Sequence, residues 1–150
     1  MSKIVLHQGV FVLVCDGRKA MLLRNAGDHV YPQLETVDIS EHNERPTHEM
    51  GTDHPGRTFS SHDGRRSSVE QTDFHEQSEE RFLKAVAAKI GQRVEAHEIK
   101  KLIVVSPPHV TGILRKAYTP QTRAAIEAEV EKDLVHLAVY EVEDHLKKMA

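Results

Sequence analysis

The sequence predicts an α/β fold: a mixed five-stranded sheet with flanking helices. Three observations predict it. An apolar hairpin opens the chain, with Gly9 to Cys15 and Ala20 to Leu23 joined through Asp16-Gly17. The run Leu102 to Val105 is built only from Leu, Ile and Val, which suits a strand buried on both faces. Apolar stripes at helical spacing stand before and after that run, so the strands they connect lie parallel to a neighbour.

Each element has its own signal. Asp16-Gly17 is a dipeptide that supplies the positive φ angles of a tight hairpin turn. From Leu34 to Ile39 the sequence alternates, with Glu35, Val37 and Ile39 on one side and Leu34, Thr36 and Asp38 on the other; Pro32 just ahead marks an edge strand or a late strand start. Asp73 caps a helix whose third residue is Glu76, Phe82, Leu83, Val86, Ala87 and Ile90 supply its stripe, and Gly91 ends it. After the strand at 102–105, Ser106-Pro107-Pro108 gives the cap and first turn of the next helix. Val110, Ile113, Leu114 and Ala117 are its apolar face, and Thr119-Pro120 breaks it. Ile126, Ala128 and Val130 alternate with Glu127, Glu129 and Glu131, so a strand is expected with its glutamates on one wet face. Val139, Val142 and Leu146 form a short closing helix.

Residues 41–73 are expected as a long polar loop inserted in a single domain spanning 1–150. Met50, Phe59 and Val69 are its only sizeable apolar side chains. Such a segment buries too little hydrocarbon to offset the entropy of ordering it, and connections of this length are functional loops or disordered inserts. It holds seven acids and four arginines, so it carries the whole formal charge of −3 and leaves the remainder balanced at 16 against 16. Within it, His54 to Ser68 sets Arg57, Arg65 and Arg66 against Asp63 alone, a locally basic tip. Guanidinium forks match phosphate oxygens. Phe59 offers a ring that stacks on a base or anchors the loop.

Composition narrows the function classes. Twenty Lys plus Arg against 23 Asp plus Glu give no whole-molecule basic field for nucleic acid. The lone cysteine, Cys15, excludes an intrachain disulfide and reads as a buried, inert thiol. Met1 to Leu6 lacks a secretory h-region and no apolar run approaches the roughly 20 residues of a membrane span, so a cytoplasmic location is expected. His42, His48, His54 and His62 enrich the loop in imidazole without the close pairs of a zinc site. No metal and no cofactor is expected. Asp16, Asp38 and Asp133 lie near strand ends, where a two-metal nuclease would gather carboxylates, yet each also suits a turn or cap. Ser60, Ser61, Ser67 and Ser68 surround His62 with no nucleophile-elbow pattern, which argues against serine hydrolase chemistry.

Four segments carry a family resemblance: Cys15 to Ala20 in the hairpin, Pro55-Gly56-Arg57-Thr58-Phe59, Leu102 to Pro108, and Glu131 to Leu137. Together they resemble the bacterial host-attachment protein family, named for a protein required for attachment to host cells. That family is similar, as a divergent branch, to the middle domain of archaeal and eukaryotic peptide release factors. The resemblance implies a ribonuclease-H-like mixed sheet flanked by helices. In release factors the matching loop carries a Gly-Gly-Gln tip that enters the ribosome. Here it offers His62-Asp63-Gly64-Arg65-Arg66, with one glycine and no following glutamine. The expectation is a release-factor-like module without hydrolytic activity of its own. It would bind the ribosome or a structured RNA through residues 54–68, with Arg57, Phe59, Gly64, Arg65 and Arg66 as contacts. The alternatives are a direct or indirect role in attachment to host cells, and hydrolysis of peptidyl-tRNA or RNA.

Overall fold

The computed structural model describes residues 4–42 and 60–149, and for 60–75 the backbone alone. The chain runs β1 (Phe11–Cys15), β2 (Lys19–Asn25), β3 (Leu34–Glu41), α1 (Ser60–Glu95), β4 (Leu102–Ser106), α2 (Pro108–Ala117), α3 (Pro120–Ala125), β5 (Ile126–Glu131) and α4 (Val139–Lys147). The strands form one sheet in the order β3-β2-β1-β4-β5. The first three pair antiparallel, while β4 runs parallel to β1 and to β5. This is the expected mixed five-stranded sheet with flanking helices.

Every residue of β1 and β4 is buried, which explains the apolar runs Phe11–Cys15 and Leu102–Val105. Leu102 and Val104 join Phe11, Leu13 and Cys15 in a core against α1 and α2, where Leu83, Val86, Ala87, Ile90, Val110 and Leu114 complete the packing. Ile103 and Val105 join Val12 and Val14 on the opposite face, beneath Val142 and Leu146 of α4 and the segment holding Leu134 and Val135. Burial of each Val, Leu, Ile or Phe side chain among them contributes roughly 1.5–3 kcal/mol, so the two central strands anchor both layers.

The structure corrects several expectations. Helix α1 starts at Ser60 rather than at Asp73, so the second half of the expected 41–73 loop is helical. Between residues 60 and 75 only Val69 and Phe74 are sizeable apolar residues, and no stripe announces the helix. Once the packed half is nucleated, propagation adds one backbone hydrogen bond per residue, which no apolar pattern announces. Gly91 does not end α1 either, at a cost of about 1 kcal/mol relative to alanine. The stop comes at His97, which adopts a left-handed φ of 65°, while the Glu98 N–H bonds the Arg93 carbonyl at 2.9 Å.

The hairpin turn uses different chemistry from the expected positive φ. Among the described residues only Gly9 and His97 have positive φ, and Gly17 does not. The turn is closed instead by Asp16, whose Oδ1 accepts from the backbone N–H groups of Arg18 and Lys19 at 2.8 Å each. Ser106 is not the cap of α2: Pro107 takes that position, and the Ser106 hydroxyl is buried against that of Thr111 at 2.6 Å. Thr119-Pro120 ends α2 but also begins α3, with Thr119 Oγ1 accepting from the Thr122 N–H and Pro120 in the first turn.

Bulges break the alternation expected in both edge strands. In β3, Leu22 faces Asp38 and Leu23 faces Thr36, so Val37 has no partner and stands 39% exposed. In β5, Leu102 faces Ile126 and Ile103 faces Ala128, which separates Glu127 from Glu129 and Glu131. Among the described residues no helix is long and apolar enough to cross a membrane.

Candidate functional site

Because β1, β4 and β5 run parallel, their carboxyl ends open on one edge of the sheet. At that edge β1 hands the chain to β2 on one side and β4 hands it toward β5 on the other. The crevice left between such diverging connections is where open α/β sheets hold their ligands.

Asp16 follows β1 directly, and its turn bonds occupy Oδ1 and leave Oδ2 facing the crevice group. Asp133 and His136 follow β5. Between them Leu134 and Val135 are 6% and 0% exposed, pinning this segment to the sheet and leaving its two polar neighbours outside. The result is convergence: one donor atom from each of Asp16, Asp133 and His136 lies within 4.8 Å of the others. His136 Nε2 stands 3.3 Å from Asp16 Oδ2.

A second pair flanks this group. Glu79 of α1 leans over Gly17, where an added Cβ would lie 2.6 Å from the Glu79 carboxyl carbon and Oε1. A side chain at 17 would push the Glu79 carboxylate, the far end of a flexible side chain, out of its place over the turn. Glu79 Oε1 also stands 3.8 Å from His109 Nε2 in the first turn of α2. Each ion pair described at this edge thus sets a carboxylate against a histidine, which is charged only when protonated. Just inside, Cys15 is fully buried, and that burial, reinforced by the Asp16 charge, pushes its thiol up to about 12. A neutral thiol of this kind is a packing group and not a nucleophile.

Asp38, the third acid near a strand end, is not part of the group. It lies against α1, 3.9 Å from Lys89 Nζ and 3.8 Å from Arg93 Nη2. Of the expected RNA contacts, Gly64, Arg65 and Arg66 lie on α1 rather than in a loop, with their side chains outside the described residues; Arg57 and Phe59 lie outside them altogether. Sequence reading did not single out His136, Glu79 or His109 as site residues. The available signal was topological: acids placed just after two strands that run parallel in one sheet must share an edge.

A separate recess of about 710 Å³ runs along β5 and is lined by Arg115, Tyr118, Arg123 and Glu131 among others. Two of its charges satisfy each other, since Arg115 donates Nε and Nη2 to Glu129 Oε1 at 3.1 and 2.7 Å.

Sheet and edge together define a mixed α/β domain with a carboxylate and histidine crevice at its strand ends. The chain belongs to the family described as "Protein required for attachment to host cells", whose model matches residues 11–146, from the first residue of β1 into α4. A comparison with curated proteins finds no match.

Proposed function

We propose that this chain contributes to attachment to host cells as a binding module, with the carboxyl edge of its sheet as the working surface. One observation carries the reading: the family match takes in the whole sheet and every residue of the Asp16, Asp133 and His136 group. The test is an adhesion assay on cells lacking the gene, complemented with the natural sequence or with Asp16→Asn and Asp133→Asn together. Adhesion falls at least tenfold on deletion, returns with the natural sequence, and returns only in part with the double variant. Adhesion that ignores the deletion overturns the reading. Fractionation of the same cells then separates a direct role from an indirect one, since a protein confined to the cytoplasm does not itself touch a host.

A second reading, contact with the ribosome or a structured RNA through residues 54–68, is supported by the local excess of Arg57, Arg65 and Arg66 over Asp63. The helical backbone from Ser60 would give Gly64, Arg65 and Arg66 a continuous mount on α1, with Phe59 and Arg57 ahead of it. The strand order β3-β2-β1-β4-β5 is compatible with the ribonuclease-H-like, release-factor-like sheet that this reading assumes. Replacing the three arginines by alanine abolishes salt-sensitive co-sedimentation with ribosomes if the reading holds. Unchanged co-sedimentation removes the 54–68 assignment.

A further inference from the structure

We infer that Asp16, Asp133 and His136 form a binding site for one divalent transition-metal cation, of the Mn²⁺ or Zn²⁺ class, at the carboxyl edge of the sheet. The inference goes beyond the attachment reading and does not depend on it.

The donor set argues for the class of ion. Two carboxylates favour hard divalent cations, and one imidazole shifts the preference from Mg²⁺ and Ca²⁺ toward Mn²⁺ and Zn²⁺. Three protein donors leave further coordination positions for water or an oxygen ligand, the arrangement of an open rather than a closed site.

Geometry argues for the place. The three donor atoms lie within 4.8 Å of one another, whereas a cation at roughly 2.0–2.2 Å from each needs them within about 4 Å. The closure falls on side chains free to make it: the His136 side chain is 70% exposed, and Asp133 is exposed as well. Their backbone is not free, because Leu134 and Val135 are buried between them. Asp16 is the fixed member, one oxygen tied by two backbone N–H groups and the other presented to His136. By contrast, the pairs His109–Glu79 and His7–Glu127 each stand at 3.8 Å, and neither forms part of a comparable three-donor group among the described residues.

The charges point the same way. Two carboxylates this close repel unless a positive group stands between them. A divalent cation is such a group, and it binds an imidazole through the ring-nitrogen lone pair.

The test uses the full chain, isotopically labelled, with Mn²⁺ added below one equivalent while backbone amide resonances are followed. Paramagnetic broadening is expected first at residues 15–18 and 132–137. Asp16→Asn, Asp133→Asn and His136→Ala each weaken Mn²⁺ binding at least tenfold and abolish that pattern, and His109→Ala leaves it intact. Asp16→Asn keeps a side-chain oxygen for the turn, so its loss of binding is not a loss of fold; an unchanged amide spectrum in the absence of metal verifies this. Zn²⁺ added first blocks the broadening, and Mg²⁺ at the same concentration does not. Broadening that begins among the histidines at 42–62, or that survives all three substitutions, overturns the site, as does the absence of saturable binding.

Discussion

The two ends of the parallel strands are stabilised in opposite ways. At the amino end, lysine and arginine take most of the described pairs, with His7 a further neighbour of Glu127 at 3.8 Å. Lys101 stands 3.8 Å from Glu127, and Arg93 bonds Glu98 at 2.6 Å. The fully buried Asn25 ties the neighbouring loops together: its Nδ2 donates to the Leu6 and His7 carbonyls at 2.8 and 3.1 Å, and its Oδ1 accepts from the Gly27 and Gln33 N–H groups. At the carboxyl end the described acid pairs are with His136 and His109, and the buried polar contact is the single Ser106–Thr111 pair. Lysine and arginine keep their charge throughout the neutral range, whereas histidine does not. The amino end is therefore tied mainly by a buried amide and permanent charges, while the described acid pairs of the carboxyl end are with histidines alone.

Four substitutions break or sharpen this contrast. The largest expected effect is Asn25→Ala, which removes the bonds to the Leu6 and His7 carbonyls, leaves the Gly27 and Gln33 N–H groups without their side-chain acceptor, and lowers unfolding free energy by about 3 kcal/mol in urea titration. A loss under about 1 kcal/mol would mean that the amino end is not held by this residue. Next comes Thr111→Val, which leaves the buried Ser106 hydroxyl without its side-chain partner and costs about 1–2 kcal/mol by the same measurement. Lys101→Ala removes an exposed pair and costs less than about 1 kcal/mol, an effect that fades in 0.5 M salt at roughly a 4 Å Debye length. Smallest is Asp133→Asn: measured without metal at neutral pH, its unfolding midpoint stays level or rises, because a like charge near Asp16 is removed. A clear fall would show that Asp133 supports the fold, and the contrast between the ends would weaken.

Much of this architecture was legible from the residues because apolar periodicity reports burial directly. The all-apolar run at 102–105, the helical stripes of Leu83 to Ile90 and Val110 to Ala117, and the closing stripe of Val139, Val142 and Leu146 all mark buried faces. Features that do not depend on hydrocarbon were missed. The first turns of α1 carry no stripe, the bulges opposite Leu22 and Leu102 arise from pairing register, and α3 looks like a break because proline both ends and begins helices. The crevice was half legible: Asp16 and Asp133 were recognisable as strand-end acids, but their meeting with His136 depends on strand order. Asp38 carried the same local signal and goes instead to Lys89 and Arg93.

Helix α1 has 36 residues, about 54 Å at 1.5 Å per residue, while the five residues of β1 span about 17 Å. Its described grip on the sheet is concentrated between Leu83 and Ile90. Such a proportion makes the helix a lever: a rotation of only about 5° around Ile90 carries Ser60, about 45 Å away along the axis, through about 4 Å. The same rotation moves the buried Leu83, about 10 Å from the fulcrum, by only about 1 Å, while the far end travels the breadth of an amino-acid side chain.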